Sequence, residues 1–143
     1  MQAERKLSLS LLAVSTSVKK PIFKVRVNGQ YILPVLSDGN VKEELFTFEH
    51  RENSIDNIEI TLINKAPDDT KLENGVITED LLLIVKQLKI DHIDLTNKMN
   101  KISNYVGVDG TAYHTHGYIT FNGTMKFKIH KNLLYTDWLS SFL

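Results

Sequence analysis

Residues 116 to 143 read HGYITFNGTMKFKIHKNLLYTDWLSSFL, and they carry the strongest β signal of the chain. Asn122 and Gly123 stand between two alternating runs, YITF and TMKFKI. Asn-Gly is the preferred pair for a two-residue type I′ turn because both turn residues need a positive φ. The pattern therefore predicts a hairpin in which Phe121 faces Thr124. One face of this hairpin is expected in the core, with the side chains of Tyr118, Met125, Phe127 and Ile129.

The preceding residues repeat this combination of short strands and turn residues. Residues 21 to 36, PIFKVRVNGQYILPVL, contain Asn28-Gly29 and predict another hairpin. Pro34 cannot donate to a ladder, so it should end the second strand or lie at a sheet edge. Alternation predicts three further strands, with a turn at Asp38-Gly39 before the second of them. These strands contain Leu7, Leu9 and Leu11, then residues 41 to 50, and then Ile58, Ile60 and Leu62.

Residues 76 to 95 are consistent with either a strand or a helix. Thr78 followed by two acids looks like a helix N-cap, whereas Leu88 and Ile90 alternate with polar residues as in a strand. The β signals of the neighbouring segments favour a long strand. Residues 65 to 75, KAPDDTKLENG, are expected to form a polar loop. The sequence thus predicts one all-β domain over residues 1 to 143, a jelly-roll or Ig-like antiparallel β-sandwich with room for one short helix.

Composition narrows the function classes. Seventeen basic and seventeen acidic residues give no net charge, so neither nucleic acid nor a membrane surface is an expected partner. Cysteine is absent from the sequence, which excludes disulfides, thiolate metal sites and a cysteine nucleophile. Phosphate-loop, dinucleotide and nucleophile-elbow patterns are also missing, and the acidic residues have no EF-hand spacing. We therefore expect no catalytic residue, no cofactor and no enzymatic activity.

Two histidines and several aromatic residues are the remaining candidates for a ligand site. His114 and His116 in YHTHGY would share one face of a strand, and such a pair could supply two metal ligands, although surface or interface histidines are the commoner case. Aromatic rings can stack on sugars, but they more often lie in a core or an interface. The candidates for such stacking are Tyr105, Tyr113, Tyr118, Tyr135 and Trp138.

The last residues of the sequence are unusually apolar for a chain terminus. Residues 133 to 143 could form a strand or a short helix capped by Thr136 or Asp137. Because termini usually fray, an apolar one is expected to be docked on the domain or on a partner. The predicted partner-binding residues are Leu133, Leu134, Tyr135, Trp138, Leu139 and Phe142.

Two phrases in the second half of the chain carry a family resemblance. LLLIVKQLKIDHIDL and, after a loop, GYITFNGTMKFKIHKNLLYTDWL resemble the small β-sandwich of calcium-dependent, xylan-binding-type carbohydrate-binding modules. They resemble the module-like proteins of tailed bacteriophages more closely. In that family a phrase like I-D-G-I-D-L precedes a hairpin around F-N-G-T, whereas this chain has His92 in place of the glycine. The calcium-binding loop of the sugar-binding relatives has no residue-by-residue match here.

The resemblance implies a jelly-roll-type sandwich that either recognises a glycan or serves as a virion building block. Because fold analogy does not fix function, both readings remain open. We favour a structural protein of a tailed-phage virion, in the tail, baseplate, collar or fibre attachment, made in the host bacterial cytoplasm. Its expected partners are other virion proteins and copies of itself. The alternative is a carbohydrate-binding module that recognises a surface or plant-type glycan.

Overall fold

Two antiparallel β-sheets pack face to face in the computed structural model, which describes residues 4–39, 42–91, 93–113 and 115–129, with only the backbone for residues 35–39 and 100. The first sheet contains β1 (Arg5–Val14), β4 (Val35–Gly39), β5 (Glu43–Glu52), β9 (Leu82–Ile90), β10 (Ile93–Asp94) and β13 (Tyr118–Ile119). The second contains β2 (Phe23–Val27), β3 (Gln30–Ile32), β6 (Asn57–Leu62), β11 (Ser103–Gly107), β12 (Ala112–Tyr113) and β14 (Gly123–Lys128). A separate hairpin consists of β7 (Lys71–Glu73) and β8 (Val76–Glu79). The described residues thus confirm the predicted antiparallel β-sandwich.

The chain crosses repeatedly between the two sheets, so neither sheet forms from one continuous segment. The first sheet has the order β10-β9-β1-β5-β4, with β13 also paired to β9, and the second has the order β12-β11-β14-β6-β2-β3. Helical turns at Pro67–Asp69, Thr96–Lys98 and α1 (Met99–Ile102) occupy connections. No described residue belongs to a helix with the length and apolar character needed to span a membrane.

The core lies between the sheets and is built from every second residue of the long strands. Leu7, Leu9 and Leu11 of β1 are fully buried, as the sequence predicts. They meet the equally buried side chains of β6, which come from the opposite sheet: Ile58, Ile60 and Leu62. Because side chains alternate across a strand, each sheet turns one apolar face inward. Burial of this shared apolar surface is what holds the two sheets together.

The hairpin predicted at Asn122-Gly123 is wrong. Tyr118 and Ile119 pair with β9 in the first sheet, whereas β14 pairs with β6 and β11 in the second, so the F-N-G-T phrase carries the chain across the sandwich. The physical reason is that β6 and β11 occupy both edges of β14, which leaves no edge for pairing with Tyr118 and Ile119. Ile119 is buried in the core, and Tyr118, predicted there, is exposed.

The hairpin predicted over residues 21 to 36 is confirmed at its Asn28-Gly29 turn, but Val35 and Leu36 pair with β5 in the other sheet as part of β4. Both turn residues have positive φ, and Val27 pairs with Gln30. β3 ends two residues before Pro34 and is an edge strand among the described residues. Pro34 itself lies in the connection to β4, where no ladder needs its missing N–H. Asp38-Gly39 was a wrong turn prediction, because both residues pair with β5 as part of β4.

The long strand predicted after residue 76 is confirmed in type, and the helix alternative is wrong. The strand is interrupted at Asp80 and Leu81, which separate β8 from β9. The single helical turn α1 lies after β10, at a place where the sequence reading expected no helix. Residues 65 to 75, expected as a polar loop, include β7 and a turn at Asn74-Gly75, where both residues have positive φ.

Candidate functional site

An apolar cleft opens at one edge of the sandwich, between the β2–β3 hairpin of the second sheet and β5 of the first. We call it the edge cleft, and its volume is about 580 Å³. Its lining residues are Pro21, Ile22, Phe23, Lys24, Val25, Tyr31, Ile32, Leu33, Pro34, Phe46 and Phe48. Nearly all of these side chains are apolar, so the described lining offers few groups for polar recognition of a small ligand.

The walls and the rim of the edge cleft differ in exposure. Phe23 and Phe46 pack edge to face across it, with ring centroids 5.3 Å apart, and thereby join the two sheets. Phe48 is buried behind them. At the rim, Ile22 is exposed and Leu33 has 88% of its surface open to solvent. Exposed apolar side chains grouped around an apolar cavity are typical of a surface that binds another apolar surface.

Basic groups border the same cleft. Lys24 Nζ and Arg26 Cζ each lie 5.6 Å from the ring centroid of Tyr31, a cation–π arrangement. Arg26 also donates a 2.6 Å hydrogen bond to Glu59 Oε2, and this carboxylate raises the pKa of the guanidinium. Lys24 has no carboxylate partner among the described residues. The rim of the cleft therefore presents one positive charge without an ion pair.

A second exposed apolar surface lies on the separate hairpin β7–β8. We call residues 71 to 79 the hairpin arm. Leu72 and Val76 are each 63% exposed and Ile77 is 57% exposed, while Leu72 lies opposite Ile77 in the ladder. A two-stranded hairpin is marginally stable in water without further packing. The arm thus needs support at its base, and its apolar side chains remain available to a partner.

The base of the hairpin arm is held by a polar cluster. Lys65 Nζ forms an ion pair with Asp80 and donates a 2.6 Å hydrogen bond to the carbonyl oxygen of Leu81. Thr70 Oγ1 donates to the same Asp80 carboxylate at 2.7 Å. Burial acts to raise the pKa of Asp80, but the hydrogen bonds from Lys65, Thr70 and the Leu81 N–H outweigh it and hold that pKa below its ordinary value. The carboxylate is therefore ionised at neutral pH.

Two further contacts join the arm and its approach to the β1–β2 connection. The backbone N–H of Ser17 donates to Glu79 Oε1 at 2.8 Å, and Lys19 Nζ lies 2.8 Å from Asp69 Oδ2. Lys71 and the Ser17 groups lower the pKa of Glu79, and Lys19 together with the Ala66 N–H lowers the pKa of Asp69. These contacts fix the direction in which the arm leaves the sandwich.

The predicted metal site gains no support from the backbone geometry. His114 lies outside the described residues. His116 is exposed and occupies a turn with φ 52°, followed by Gly117 at φ 86°, so it is not on a strand face as the hypothesis assumed. The part of the chain with described side chains holds no group of three or more metal-ligating residues. A metal site at His114 and His116 therefore stays a prediction, and the strand face on which it relied is not present at His116.

The predicted stacking and partner residues have different outcomes. Tyr105 is buried, where its ring stacks on Phe121 at 4.3 Å, so its place in a sugar-binding platform is wrong. Tyr113 and Tyr118 are exposed but lie on strands of different sheets. The predicted partner-binding residues Leu133, Leu134, Tyr135, Trp138, Leu139 and Phe142 all lie outside the described residues, as does the capping pair of that segment.

The sequence reading missed both the edge cleft and the hairpin arm. The arm had a usable signal, because Asn74-Gly75 is the same turn pair that correctly located the β2–β3 hairpin. The polar composition of the flanking residues concealed it. The cleft had no local signal, because Phe23 and Phe46 meet only after two different sheets have formed.

The described residues of the two phrases that carry the family resemblance lie in four strands, β9, β10, β13 and β14, and in the connections beside them. Residues 90 to 95 span the end of β9 and β10, with Asp91 at a positive φ between them. The F-N-G-T phrase joins β13 to β14 across the sandwich and does not form the hairpin expected from the family. Comparisons of the chain with protein-family models, with curated protein sequences and with solved structures find no match.

Proposed function

We propose that this chain is a structural protein of a tailed-bacteriophage virion, in the tail, baseplate, collar or fibre attachment, and that it acts through protein–protein assembly. The observation that carries the proposal is the edge cleft, with Leu33 and Ile22 exposed around an apolar cavity of about 580 Å³. Exposed apolar side chains grouped around a cavity favour contact with the apolar surface of a partner. The family resemblance of the sequence supplies the virion context.

In this proposal the chain is made in the host bacterial cytoplasm and then resides in the virion. Its partners are copies of itself and other virion proteins. Residues 133 to 143 are assigned to the contact with other virion proteins, because their apolar side chains are suited to burial against another subunit. The proposal therefore assigns the edge cleft and the terminal segment to different partners.

The proposal is tested by quantitative mass spectrometry of particles released from the bacterial strain that carries the gene. Particles are purified through two density steps, and the amount of this chain is compared with that of a major virion protein and that of an abundant host protein. We expect a fixed ratio to the virion protein across both steps. A chain that is depleted together with the host protein would contradict a structural role in the virion.

Glycan recognition is the second candidate function, and the exposed rings of Tyr113 and Tyr118 favour it. Each ring offers an apolar face on which a sugar could stack. A glycan array probed with the purified chain, with and without calcium, tests this candidate. Binding that is lost in Tyr113→Ala or Tyr118→Ala, but kept in Tyr31→Ala, would favour it, and an array without hits would remove it.

A further inference from the structure

We propose that the hairpin arm of one copy of this chain docks into the edge cleft of a second copy, so that subunits join head to tail. This inference rests on the proposed assembly function and names the partner of the edge cleft. Both surfaces carry exposed apolar side chains among the described residues. The arm projects apolar side chains, and the cleft receives them.

The arm and the cleft both present apolar side chains to solvent. The arm carries Leu72, Val76 and Ile77, all more than half exposed on a narrow two-stranded hairpin. The cleft is a cavity lined almost entirely by apolar side chains, with Leu33 at its rim. Docking would remove apolar side chains of both surfaces from water, which favours association.

Backbone pairing adds a second element of complementarity. Among the described residues β3 pairs only with β2, so its outer edge presents unpaired N–H and C=O groups beside the cleft. Both arm strands likewise pair only with each other. An arm strand can therefore extend the second sheet at β3 while its apolar side chains enter the cleft, which is the strand-addition mode of recognition.

The charges beside the two surfaces have opposite signs. Glu73 lies at the tip of the arm, opposite Val76, and forms no ion pair with any described residue. Lys24 lies at the rim of the cleft, also without a carboxylate partner there. Opposite charges beside the two surfaces favour the encounter of arm and cleft.

The contact must form between two chains and not within one. The polar cluster of Lys65, Thr70 and Asp80 fixes the arm base, and no arm residue lines the cleft of the same chain. An interface between two different surfaces is heterologous. Such interfaces produce a closed ring, or a filament where the rotation does not close.

A mixing experiment tests the proposal. The cleft variant carries Leu33→Asp and keeps its arm, while the arm variant carries Leu72→Asp and Ile77→Asp and keeps its cleft. A Val108→Asp control changes a valine that is 86% exposed and outside both surfaces, in the β11–β12 turn. Circular dichroism and thermal melting establish that each variant is folded. If the double arm variant melts early, the single Ile77→Asp variant replaces it.

We expect the wild type and the Val108→Asp control to assemble, and each of the other variants alone to sediment at the monomer mass of 16.3 kDa. Mixed together, they should form a one-to-one complex, because one intact arm and one intact cleft remain. This complex should persist when residues 130 to 143 are deleted from both variants. A mixture that stays monomeric would overturn the proposal. A complex that is lost on this deletion would also overturn it, because the terminal segment, and not the arm, would then be the partner of the cleft. Neither result changes whether the chain is found in particles.

Discussion

Lys65 and Asp80 form an ion pair at the point where the hairpin arm joins the sandwich, and the Lys65 side chain is only 9% exposed. Asp80 follows the last residue of the arm and precedes the buried Leu81. The Leu81 N–H donates to Asp80, and the Leu81 carbonyl oxygen accepts from Lys65. This ion pair therefore links the exposed hairpin arm to the buried core. Its strength decides how rigidly the arm is presented.

Replacing Asp80 by Asn should destabilise the domain by about 2 to 4 kcal/mol, because it removes the ion-pair partner of the largely buried Lys65 ammonium. The asparagine can still accept a hydrogen bond from Thr70, so the change isolates the loss of charge. Urea denaturation at pH 7 measures the effect. The matched control is Lys71→Gln, which removes the exposed Lys71–Glu79 pair on the same arm and should cost less than about 1 kcal/mol. Equal effects of the two changes would contradict this account.

The same variant should show a defined pH dependence. The pKa of Asp80 in the folded protein lies below its ordinary value of 3.8, so its contribution to stability is present above that pH. The contribution is lost as the pH falls through the folded-state pKa. The difference in unfolding free energy between the wild type and Asp80→Asn should therefore be constant near neutrality and shrink below about pH 4. A difference that grows on acidification would count against the assignment.

Tyr105→Phe should destabilise the domain by about 1 to 3 kcal/mol, although it removes only one oxygen atom. The Tyr105 hydroxyl accepts a 2.9 Å hydrogen bond from the N–H of Phe121 and donates to the carbonyl oxygen of the same residue. Phenylalanine keeps the ring stacking but leaves these backbone groups without their partner. The exposed Tyr113→Phe change is the control, and chemical denaturation at pH 7 is the measurement.

The Tyr105 hydroxyl also predicts an effect at alkaline pH. Burial raises the pKa of Tyr105 from 10.0 to about 12, despite the hydrogen bonds to the backbone of Phe121 and Thr120. A raised pKa means that the stabilising contribution is complete below pH 10.0 and is lost as the pH rises towards about 12. The stability advantage of the wild type over Tyr105→Phe should therefore shrink in this range. An advantage that grows there would be inconsistent with a buried, neutral phenol.

Gly123→Ala tests the crossing that replaces the predicted hairpin. A Cβ at this position would overlap the carbonyl oxygen of Val106 and lie 2.9 Å from the Cα of Gly107, both on the neighbouring strand β11. We expect a loss of about 1 to 3 kcal/mol from this overpacking. Gly110→Ala is the control. No atom lies within 4 Å of the added Cβ, so only the φ of 84° is unfavourable for alanine. We expect this backbone strain to cost about 1 to 2 kcal/mol of stability.

The two glycine variants should differ in how the structure relieves the strain that the added methyl group introduces. Overpacking at Gly123 should be relieved only by movement of β11, so the protected amides of β11 and β14 should exchange faster with solvent in Gly123→Ala. Strain at Gly110 is confined to one turn and should leave those amides unchanged. Hydrogen exchange measured by NMR distinguishes the two. Unchanged exchange in β11 and β14 of Gly123→Ala would mean that this close approach is not present.

Deletion of residues 133 to 143 should prevent incorporation of the chain into particles, because this segment is assigned to contacts with other virion proteins. The measurement is the ratio of this chain to a major virion protein in particles from a complemented deletion strain. Folding of the truncated chain is confirmed separately by its melting transition. A folded, truncated chain that still enters particles at the full ratio would remove the terminal segment from the interface.

The sequence predicted those features of the fold that depend on local alternation. Ile58, Ile60 and Leu62 are spaced by two, and a strand with one buried face requires that spacing. Asn28-Gly29 correctly located a turn because its flanking strands are neighbours in the sheet. Asn122-Gly123 failed because the residues that pair with β14 come from β6 and β11, more than fifteen positions away in the chain. A local turn signal contains no information about such competing long-range ladders.

The candidate site was less predictable for a related reason. The edge cleft brings Ile22 and Leu33, which flank the β2–β3 hairpin, beside Phe46 of the other sheet, so no contiguous pattern describes it. The hairpin arm was predictable in principle from Asn74-Gly75, but its exposed Leu72 and Ile77 look like ordinary strand residues in the sequence. Only the structure shows that these apolar side chains do not reach the core.

The mass of the purified full-length chain in solution, measured by sedimentation velocity over a range of concentrations, tests the central claim most directly. The account predicts an assembly larger than the 16.3 kDa monomer, which Leu33→Asp reduces to the monomer and Val108→Asp does not. A wild-type chain that sediments at 16.3 kDa at every concentration would contradict the claim that its exposed apolar surfaces serve assembly with copies of itself.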